Sequence, residues 1–360
     1  MSSPATQPRP IRAAVIGTGV ISEAHLKYLS TDPLVDLVGV CDLSPSMGQY
    51  AIDRFKAKAA FTDAGEMYRA AQPEVVHVLT PPHTHVPIVT AALDAGLHVI
   101  CEMPIAPKRA EFLQLWAHAQ SKGKRLVEDH NYRFNAPILA IEKLVNEGQL
   151  GTVRDVDVRM SLPIRSPGRF TDTAWPHPSH NLPAGVLHEF ISHLCYLALR
   201  FLPPVETFDR VAAAWSKHGD EPLFKVDDLD AIVIAGGAHA RIRFSSFTAP
   251  DVFSVTVRGE KGWAETDLFN PFLRVTIPRK GGKQLSPLMN HFVNGFDMAT
   301  SAFSGFQNKI MQRGPLEGLR TFLGRTYDAL RNDREPPVTF DDMDRASRLI
   351  DALLDEGNRL

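Results

Sequence analysis

The chain has 360 residues, of which 44% are hydrophobic and 22% are charged, with a formal net charge of −2 and a pI near 6.7. The length favours two domains, with one large domain as the alternative, and the composition is typical of a globular protein. The balanced charge gives no electrostatic reason to expect nucleic acid or an anionic membrane as a partner. The three cysteines, Cys41, Cys101 and Cys195, stand in apolar runs without metal-ligand spacing, so we expect reduced thiols, a cytoplasmic protein and no bound metal.

The opening stretch, Met1–Pro10, is short and polar and carries prolines at positions 4, 8 and 10. These features are typical of a flexible tail rather than of a signal peptide. No run further along the chain approaches the roughly 18 apolar residues that a membrane-spanning helix needs. We therefore expect a soluble protein without a transmembrane segment.

The first predicted strand, Ala13–Ile16, leads directly into a glycine-containing turn that ends at Ser22. The turn reads G-x-G-x-x-S, a small-residue variant of the G-x-G-x-x-G/A fingerprint of dinucleotide-binding proteins. The glycines permit a tight turn and let the backbone approach a pyrophosphate at the N-terminus of the next helix. The predicted cofactor contacts in this turn are Gly17, Thr18, Gly19, Val20 and Ile21.

A second predicted strand, Leu37–Cys41, ends at Asp42, 25 residues after Gly17 (42 − 17). The fingerprint places an acidic residue about 20 residues on, where it binds the ribose 2′-hydroxyl. A carboxylate there would repel the extra phosphate of NADP, so we expect NAD as the cofactor. The alternative is that Asp42 is a solvated turn residue.

Two more predicted strands, Glu74–Leu79 and Leu97–Cys101, also end in loops with polar residues or prolines. Strands that alternate with helices predict a parallel, doubly wound sheet, with ligands bound outside the carboxyl ends of the strands. Four loops would then converge on one cofactor: Gly17–Ser22, Asp42–Ser44, Thr80–His85 and Glu102–Pro104. The predicted cofactor contacts in the last two loops are Thr80, Pro81, Pro82, His85, Glu102 and Met103.

Five segments carry a resemblance to known proteins: Thr80–His85 (Thr-Pro-Pro-His-Thr-His), Ala91–Val99, Glu102-Met103-Pro104, Asn131–Phe134 and Gly148–Gly151. Together they resemble the glucose–fructose oxidoreductase/inositol dehydrogenase (Gfo/Idh/MocA) family. The resemblance implies an α/β protein with an N-terminal Rossmann domain, residues 11–129. It further implies a C-terminal α/β domain with a large, mostly antiparallel open sheet, residues 130–360, whose last helix could pack back on the first domain.

The second half of the chain predicts a helix over Ile138–Glu147, followed by a series of strands. Val153–Met160 alternates valine with charged residues, as a half-buried strand does, and Arg258–Gly262 predicts a hairpin turn. Further strands are predicted at Val211–Trp215, Ala231–Ile234, Ala240–Phe247, Phe253–Arg258 and Leu273–Ile277. One broad sheet with an uncovered outer face would result, so we expect a homodimer or homotetramer that packs sheet on sheet.

The segment Pro163–Pro183 is rich in proline and predicts a loop, of a length often found in lids and binding segments. Trp175 and His180 in this loop are candidate substrate contacts. Arg133, shortly before the helix over Ile138–Glu147, is a third.

A helix is predicted from Gly185 to Leu199, and it places Glu189 and His193 one turn apart on the same face. This pair suits a histidine that accepts a proton while a carboxylate stabilises its charge. His188 and His193 diverge by roughly 140°, which argues against a zinc pair of the His-Glu-x-x-His kind. In the resembling family this helix carries Asp-x-x-x-His, with the histidine as acid/base. The alternative is a core helix with an incidental His–Glu pair.

Three helices are predicted towards the end of the chain, the last two over Leu316–Leu330 and Phe340–Leu354. The first carries an apolar stripe with spacings of three and four: Met289, Phe292, Phe296, Ala299, Phe303, Phe306 and Ile310. We expect this stripe to pack on the protein's own sheet or on a partner subunit. A lipid-facing role is the alternative, but few basic residues accompany the stripe.

The resemblance implies an NAD-dependent oxidoreductase that acts on a sugar, cyclitol or related polyol, with His193 and Glu189 moving the substrate proton. The family tripeptide is Glu-Lys-Pro, whose lysine contacts the reacting oxygen, whereas Met103 can neither donate a hydrogen bond nor carry charge. Candidate catalytic substitutes are Tyr132 and His188, along with Arg133 and His180. The alternatives are a lyase, epimerase or glycosidase with transient oxidation of the sugar, or a sensor that binds NAD and sugar without turnover.

Overall fold

The computed structural model describes residues 9–279, 282–310 and 317–357, without the side chains of residues 283, 302–310, 356 and 357. Most of the predicted tail therefore lies outside the described residues, as do the side chains of Phe303, Phe306 and Ile310. The chain divides into two compact units, Met1–Asp129 with Phe322–Thr339, and His130–Thr321 with Phe340–Leu360.

The first unit is built on a six-stranded sheet whose strands are all parallel, in the order β3-β2-β1-β4-β5-β6. Its elements are β1 (Ile11–Ile16), α1 (Ser22–Thr31), β2 (Val35–Cys41), α2 (Pro45–Phe55), β3 (Ala60–Phe61), α3 (Ala64–Ala71), β4 (Val75–Val78), α4 (His85–Asp94), β5 (His98–Cys101), α5 (Arg109–Ser121) and β6 (Leu126–Glu128).

This strand order is that of the doubly wound dinucleotide-binding fold, and the order reverses between β1 and β4. Ala13, Ala14 and Val15 are fully buried, as are Val75 and Val76 on the neighbouring strand. Helices cover both faces of these strands, so the side chains on both faces must be apolar. For this reason polar and apolar residues do not alternate along the strands. The predicted Rossmann domain is confirmed.

The second unit is built on a seven-stranded sheet in the order β13-β12-β11-β7-β10-β9-β8, antiparallel except for the pair β7–β10. The elements after β6 are α6 (Ala136–Asn146), β7 (Val153–Ser161), α7 (Leu187–Phe201), β8 (Arg210–Ser216), β9 (Asp228–Ala235), β10 (Ala238–Ser245), β11 (Val252–Gly259), β12 (Trp263–Asp267), β13 (Arg274–Thr276), α8 (Gly282–Ile310), α9 (Glu317–Arg331) and α10 (Phe340–Gly357). The predicted mostly antiparallel sheet is confirmed.

The two last helices are assigned to different units. From Phe322 onward α9 belongs to the first unit, where Tyr327 is fully buried and its ring lies 5.8 Å from that of Tyr28. The final helix, α10, packs on α7 and β8 of the second unit, and the Trp215 indole N–H donates to the Leu353 carbonyl at 3.0 Å. The sequence had suggested that the last helix could pack on the first domain; the described contacts place α9 there instead.

The two faces of the second sheet differ in chemistry. Towards α7 the strands present buried apolar side chains such as Val156, Val158 and Ile242. The other face carries ion pairs between neighbouring strands. The pairs on that face are Arg243 with Asp157, Arg241 with Asp230, and Arg258 with Asp155.

Helix α8 is oriented opposite to the prediction. The Asn294 side chain accepts from the Val275 N–H at 2.9 Å, and the Asn290 amide donates to the Ile277 carbonyl at 2.9 Å, so a polar stripe faces β13 and the residues after it. Phe292 and Phe296, in the predicted apolar stripe, are 80% and 66% exposed. The expectation that this stripe packs on the protein's own sheet is wrong for the described side chains, because the strand offers backbone groups that amides satisfy.

Within the described residues, no helix has the length and apolar character that crossing a membrane would require.

Candidate active site

The glycine turn lies between β1 and α1, at the carboxyl edge of the first sheet. Gly17 has a φ of +90°, and a Cβ there would lie 2.9 Å from the backbone carbonyl carbon and oxygen of Leu79, so only glycine fits. A Cβ on Gly19 would meet nothing within 4 Å, so the space beside it is open. No side chain caps the N-terminus of α1, and the Ser22 N–H donates to the Gly19 carbonyl oxygen at 3.0 Å, so the helix starts directly from the turn.

Asp42 is tied to this turn. One carboxylate oxygen accepts from both the backbone N–H and the hydroxyl of Thr18, at 2.8 and 2.7 Å, and the other accepts from the Ser44 N–H at 2.9 Å. Thr18 is buried and Asp42 is half-buried. Asp42 is thus ordered by the turn, rather than solvated as the alternative expectation had it, and its charge is fixed beside the open space.

The loops after β4 and β5 are joined by His85. Its two ring nitrogens lie 2.8 Å from the Pro104 carbonyl oxygen and 2.7 Å from the Thr80 carbonyl oxygen. Burial lowers the pKa of His85, although the two carbonyls oppose this change. Pro82 is buried and Pro81 is exposed. Because His85 is fully buried, its contribution to the site is to hold the two loops together.

Met103 is buried, and beside it the Glu102 side chain is 17% exposed, next to a cluster that the sequence did not predict. His25 of α1 places Nε2 3.3 Å from Glu102 Oε1 and 3.3 Å from Asp129 Oδ2. Both His25 and Asp129 are fully buried. The only sequence signal that could have suggested Asp129 as a site residue is its position directly after β6.

The cluster continues into the interior through two neutral groups. His25 Nδ1 lies 2.9 Å from His77 Nδ1, and His77 Nε2 lies 2.9 Å from the Tyr327 hydroxyl. Burial alone would lower the pKa of His25, but hydrogen bonds and charges of Asp129 and Glu102 raise it to about 9. Burial and the His25 charge lower the pKa of His77 well below its ordinary value. His25 is therefore an imidazolium and His77 is neutral at neutral pH.

Among the described residues, His25, Glu102 and Asp129 also form a group of metal-ligand type, with one potential ligand atom from each residue and all three atoms within 4.8 Å of one another. The His25 imidazolium already lies between the two carboxylates as their counter-charge. We therefore describe the group as a buried ion-pair cluster.

In the second unit, the predicted acid/base His193 lies among aromatic side chains. Its Nδ1 is 3.1 Å from the Tyr196 hydroxyl, and the Tyr132 ring packs edge-on against the imidazole at 4.9 Å. The Tyr196 hydroxyl also lies 3.3 Å from Asn131 Oδ1. Sequence reasoning missed Tyr196, although it follows His193 by three residues and so shares its helix face.

Glu189 and His188 occupy different surroundings on the first turn of α7. Glu189 is half-buried, and one of its carboxylate oxygens lies 3.7 Å from His177 Nδ1. His188 is fully buried, and neither ring nitrogen has a hydrogen-bond partner among the described residues. Burial, with the Lys225 charge, lowers the pKa of His188 to about 4. His188 is therefore uncharged at neutral pH, and its catalytic role stays a prediction.

The three candidate substrate contacts differ in exposure. Arg133 is buried and paired with Asp342 of α10 at 2.7 Å. His180 is buried, with Nε2 2.9 Å from the Phe170 carbonyl oxygen, so it ties the proline-rich loop together. Trp175, in contrast, is 83% exposed.

Comparison with known proteins assigns both units. Residues 11–130 match the model of the oxidoreductase family with an NAD-binding Rossmann fold, and residues 138–265 match that of the GFO/IDH/MocA C-terminal domain. The chain belongs to the Gfo/Idh/MocA family.

Several of the similar curated proteins carry dehydrogenase names, and others are named only as oxidoreductases. D-glucoside 3-dehydrogenase of Escherichia coli is 32% identical over 145 residues, which are 40% of this chain and 41% of that protein. The matches to the first curated relatives span 41% to 58% of those proteins' lengths.

Solved structures match over nearly the whole chain. Levoglucosan dehydrogenase in complex with NADH and levoglucosan has a TM-score of 0.77 at 18% identity, with 98% of each chain covered. The WlbA dehydrogenase of Bordetella pertussis, in complex with NADH and UDP-GlcNAcA, has a TM-score of 0.76 at 20% identity, covering 99% of this chain and 97% of that one. At these identities the likeness establishes the fold.

Proposed function

We propose that this chain is an NAD-dependent dehydrogenase or reductase that acts on a hydroxyl or keto group of a sugar, cyclitol or related polyol. The observation that carries the proposal is the glycine turn, where only glycine fits at position 17 against the Leu79 backbone and where the space beside Gly19, just before α1, is open. Backbone N–H groups and a helix N-terminus suit a pyrophosphate.

The residues present fit a dinucleotide. The turn from Gly17 to Ile21 would hold the pyrophosphate, and the loops at Thr80 and Glu102 lie at the same sheet edge, where the second half of a dinucleotide binds in this fold. The charge of Asp42 favours NAD over NADP, because a 2′-phosphate beside a fixed carboxylate is repelled. Bound NAD would supply the hydride acceptor.

His193 is our proposed acid/base for the substrate hydroxyl. The Tyr196 hydroxyl at Nδ1 fixes the ring and leaves Nε2 to exchange the proton. We further propose that Glu189 stabilises the imidazolium and that Tyr132, packed on the same ring, orients it. Because Met103 cannot donate a hydrogen bond, no side chain at that position assists the reacting oxygen, and His193 has the larger share of the proton transfer.

The nucleotide site is tested by two glycine substitutions that should behave differently. Gly17→Ala forces a Cβ into the Leu79 backbone at positive φ, so we expect about 1–3 kcal/mol of destabilisation and loss of ADP-ribose binding. Gly19→Ala should unfold like the wild-type protein, yet bind ADP-ribose at least about tenfold more weakly, because its methyl group occupies the pyrophosphate space. Urea unfolding and calorimetric titration measure both quantities.

Gly295→Ala on α8 is the matched control, since a Cβ there also meets nothing within 4 Å. It should leave the ADP-ribose affinity unchanged and raise the unfolding free energy by about 0.5–1 kcal/mol, because alanine is favoured over glycine inside a helix. If Gly19→Ala binds ADP-ribose as tightly as this control, the turn is not the pyrophosphate site.

Activity is tested by mixing the protein with NAD or NADP and a panel of sugars, cyclitols and sugar acids while absorbance at about 340 nm reports the reduced cofactor. We expect reduction of NAD with at least one substrate. Product that forms without net reduced cofactor would instead indicate a lyase, epimerase or glycosidase. Tight NAD binding without any turnover would indicate a sensor that binds NAD and sugar. The absence of a charged side chain at Met103 is the observation that favours this alternative.

Two expectations accompany the proposal. The three cysteines are free and buried, which is compatible with the expected cytoplasmic location. The homodimer or homotetramer remains a prediction. Gel filtration coupled to multi-angle light scattering would measure the mass of the assembly in solution.

A further inference from the structure

Two carboxylates lie at the carboxyl edge of the first sheet, in the half formed by β4, β5 and β6. Glu102 follows β5 directly and Asp129 follows β6 directly. In a doubly wound sheet, the strands beyond the reversal point hold the second mononucleotide, which in NAD is the nicotinamide half. Glu102 is partly exposed and can face that ligand, whereas Asp129 is sealed from solvent.

The buried histidine links these carboxylates. His25 Nε2 is equidistant, at 3.3 Å, from an oxygen of each, and its other nitrogen is engaged by His77. As an imidazolium, His25 donates from Nδ1 to His77, which must then carry its own proton on Nε2 and donate it to the Tyr327 hydroxyl. The chain of donors fixes the orientation of His25, so its charge stays between Glu102 and Asp129.

The cluster carries a net charge close to the ligand. Burial and the Glu102 charge raise the pKa of Asp129 to about 7, so at pH 8 two carboxylates face one imidazolium. Neighbouring Met103 contributes no compensating charge. With water excluded from Asp129 and His25, this excess negative charge is weakly screened and acts on whatever binds beside Glu102.

We propose that Asp129 is a positioning residue that acts through His25 and Glu102 to set the relative affinity of the site for oxidised and reduced cofactor. The nicotinamide ring of NAD⁺ carries a positive charge that NADH lacks. A buried negative charge behind Glu102 therefore favours NAD⁺ over NADH, and removing that charge shifts the preference towards NADH. This inference rests on the proposed nucleotide site.

The test measures dissociation constants of NAD⁺, NADH and ADP-ribose at pH 8 for the wild-type protein, Asp129→Asn and Asp53→Asn. Asp129→Asn is nearly isosteric and removes one buried charge, so the ratio Kd(NAD⁺)/Kd(NADH) should rise by about threefold to tenfold. ADP-ribose, which has no nicotinamide, should bind unchanged. Asp53→Asn makes the same chemical change on an exposed residue of α2 and should leave all three constants unchanged.

Glu102→Gln is the second variant, and it should raise the same ratio at least as much because it removes the charge nearest the ligand. If Asp129→Asn binds ADP-ribose normally and keeps the wild-type ratio within about twofold, the inference is overturned while the nucleotide site stands. If the wild-type protein binds none of the three ligands, the proposed function itself fails, and the inference falls with it.

Discussion

The two histidines to which we assign proposed roles, His25 and His193, lie in contrasting surroundings. His25 is sealed inside the first unit between two carboxylates, with each ring nitrogen engaged. His193 is half-buried on α7, where Nδ1 meets a tyrosine hydroxyl and the ring packs against Tyr132. One histidine has charged neighbours and no access to water, and the other has mostly neutral neighbours and a partly open face.

This difference indicates two uses of the same side chain. A histidine that is held between buried carboxylates keeps its proton over the physiological pH range and acts as a fixed charge. A histidine beside a hydroxyl, with one face accessible, can exchange its proton with a substrate. The contrast predicts that substitution of His193 changes the reaction rate, whereas substitution of His25 changes stability and its dependence on pH.

The largest effect is expected from His193→Asn. Loss of a general acid/base typically lowers kcat by about 10²–10⁴-fold, while ADP-ribose affinity should stay unchanged. Steady-state rates with the best substrate of the panel measure the first quantity, and calorimetric titration measures the second. His239→Asn, an exposed histidine of β10, is the matched control and should retain the wild-type rate. Turnover that survives in His193→Asn would remove His193 from the mechanism.

A smaller effect is expected from His25→Gln. Because the folded-state pKa of His25, about 9, lies above its ordinary value of 6.5, its stabilisation is complete below pH 6.5 and is lost as pH rises through 9. Asp129, whose pKa burial also raises, adds to the loss of stability with rising pH. His25→Gln should lower the unfolding free energy by on the order of 2–3 kcal/mol near pH 6.5 and much less at pH 9.5.

Urea unfolding at three pH values measures this dependence. A wild-type protein whose stability is flat between pH 6.5 and pH 9.5 would contradict the charged assignment of His25. The exposed His239→Gln serves as the reference variant, and its curve should follow that of the wild-type protein.

The smallest change in stability is expected when an exposed ion pair is broken. Arg241 and Asp230 pair across neighbouring strands at 3.0 Å, with about half of each side chain exposed. Arg241→Gln should change the unfolding free energy by less than about 1 kcal/mol, because water screens the pair. If Arg241→Gln lowers the unfolding free energy as much as His25→Gln does, burial is not the reason why the His25 cluster stabilises the protein more than an exposed ion pair.

Much of the fold could be predicted because the central strands of the first sheet are apolar and buried. The strands β1, β2, β4 and β5 were all evident as buried runs, and their loops contain the glycine turn and Asp42. The sequence did not reveal β3 and β6, which have two and three residues, because such short runs have no measurable periodicity. Helix α5 was missed as well, since only three of its 13 residues are buried, namely Phe112, Leu115 and Ala119.

The candidate site could be predicted only where one segment contains it. The glycine turn and the pair Glu189 and His193 are each local, so spacing reveals them. The cluster of His25, Glu102 and Asp129 joins α1 with the ends of β5 and β6, and no spacing rule connects positions so far apart in the chain. His188 illustrates a related problem, because its neighbours in sequence do not reveal that it is fully buried.

The amide stripe of α8 has a consequence for how the second sheet ends. The last strand of a sheet exposes unpaired N–H and C=O groups that can template pairing with another chain and lead to aggregation. An asparagine side chain is chemically a fragment of peptide backbone, and Asn290 and Asn294 bind β13 and the residues after it much as a further strand would. The two side chains thereby satisfy backbone groups beside the edge strand that a strand of another chain would otherwise pair with.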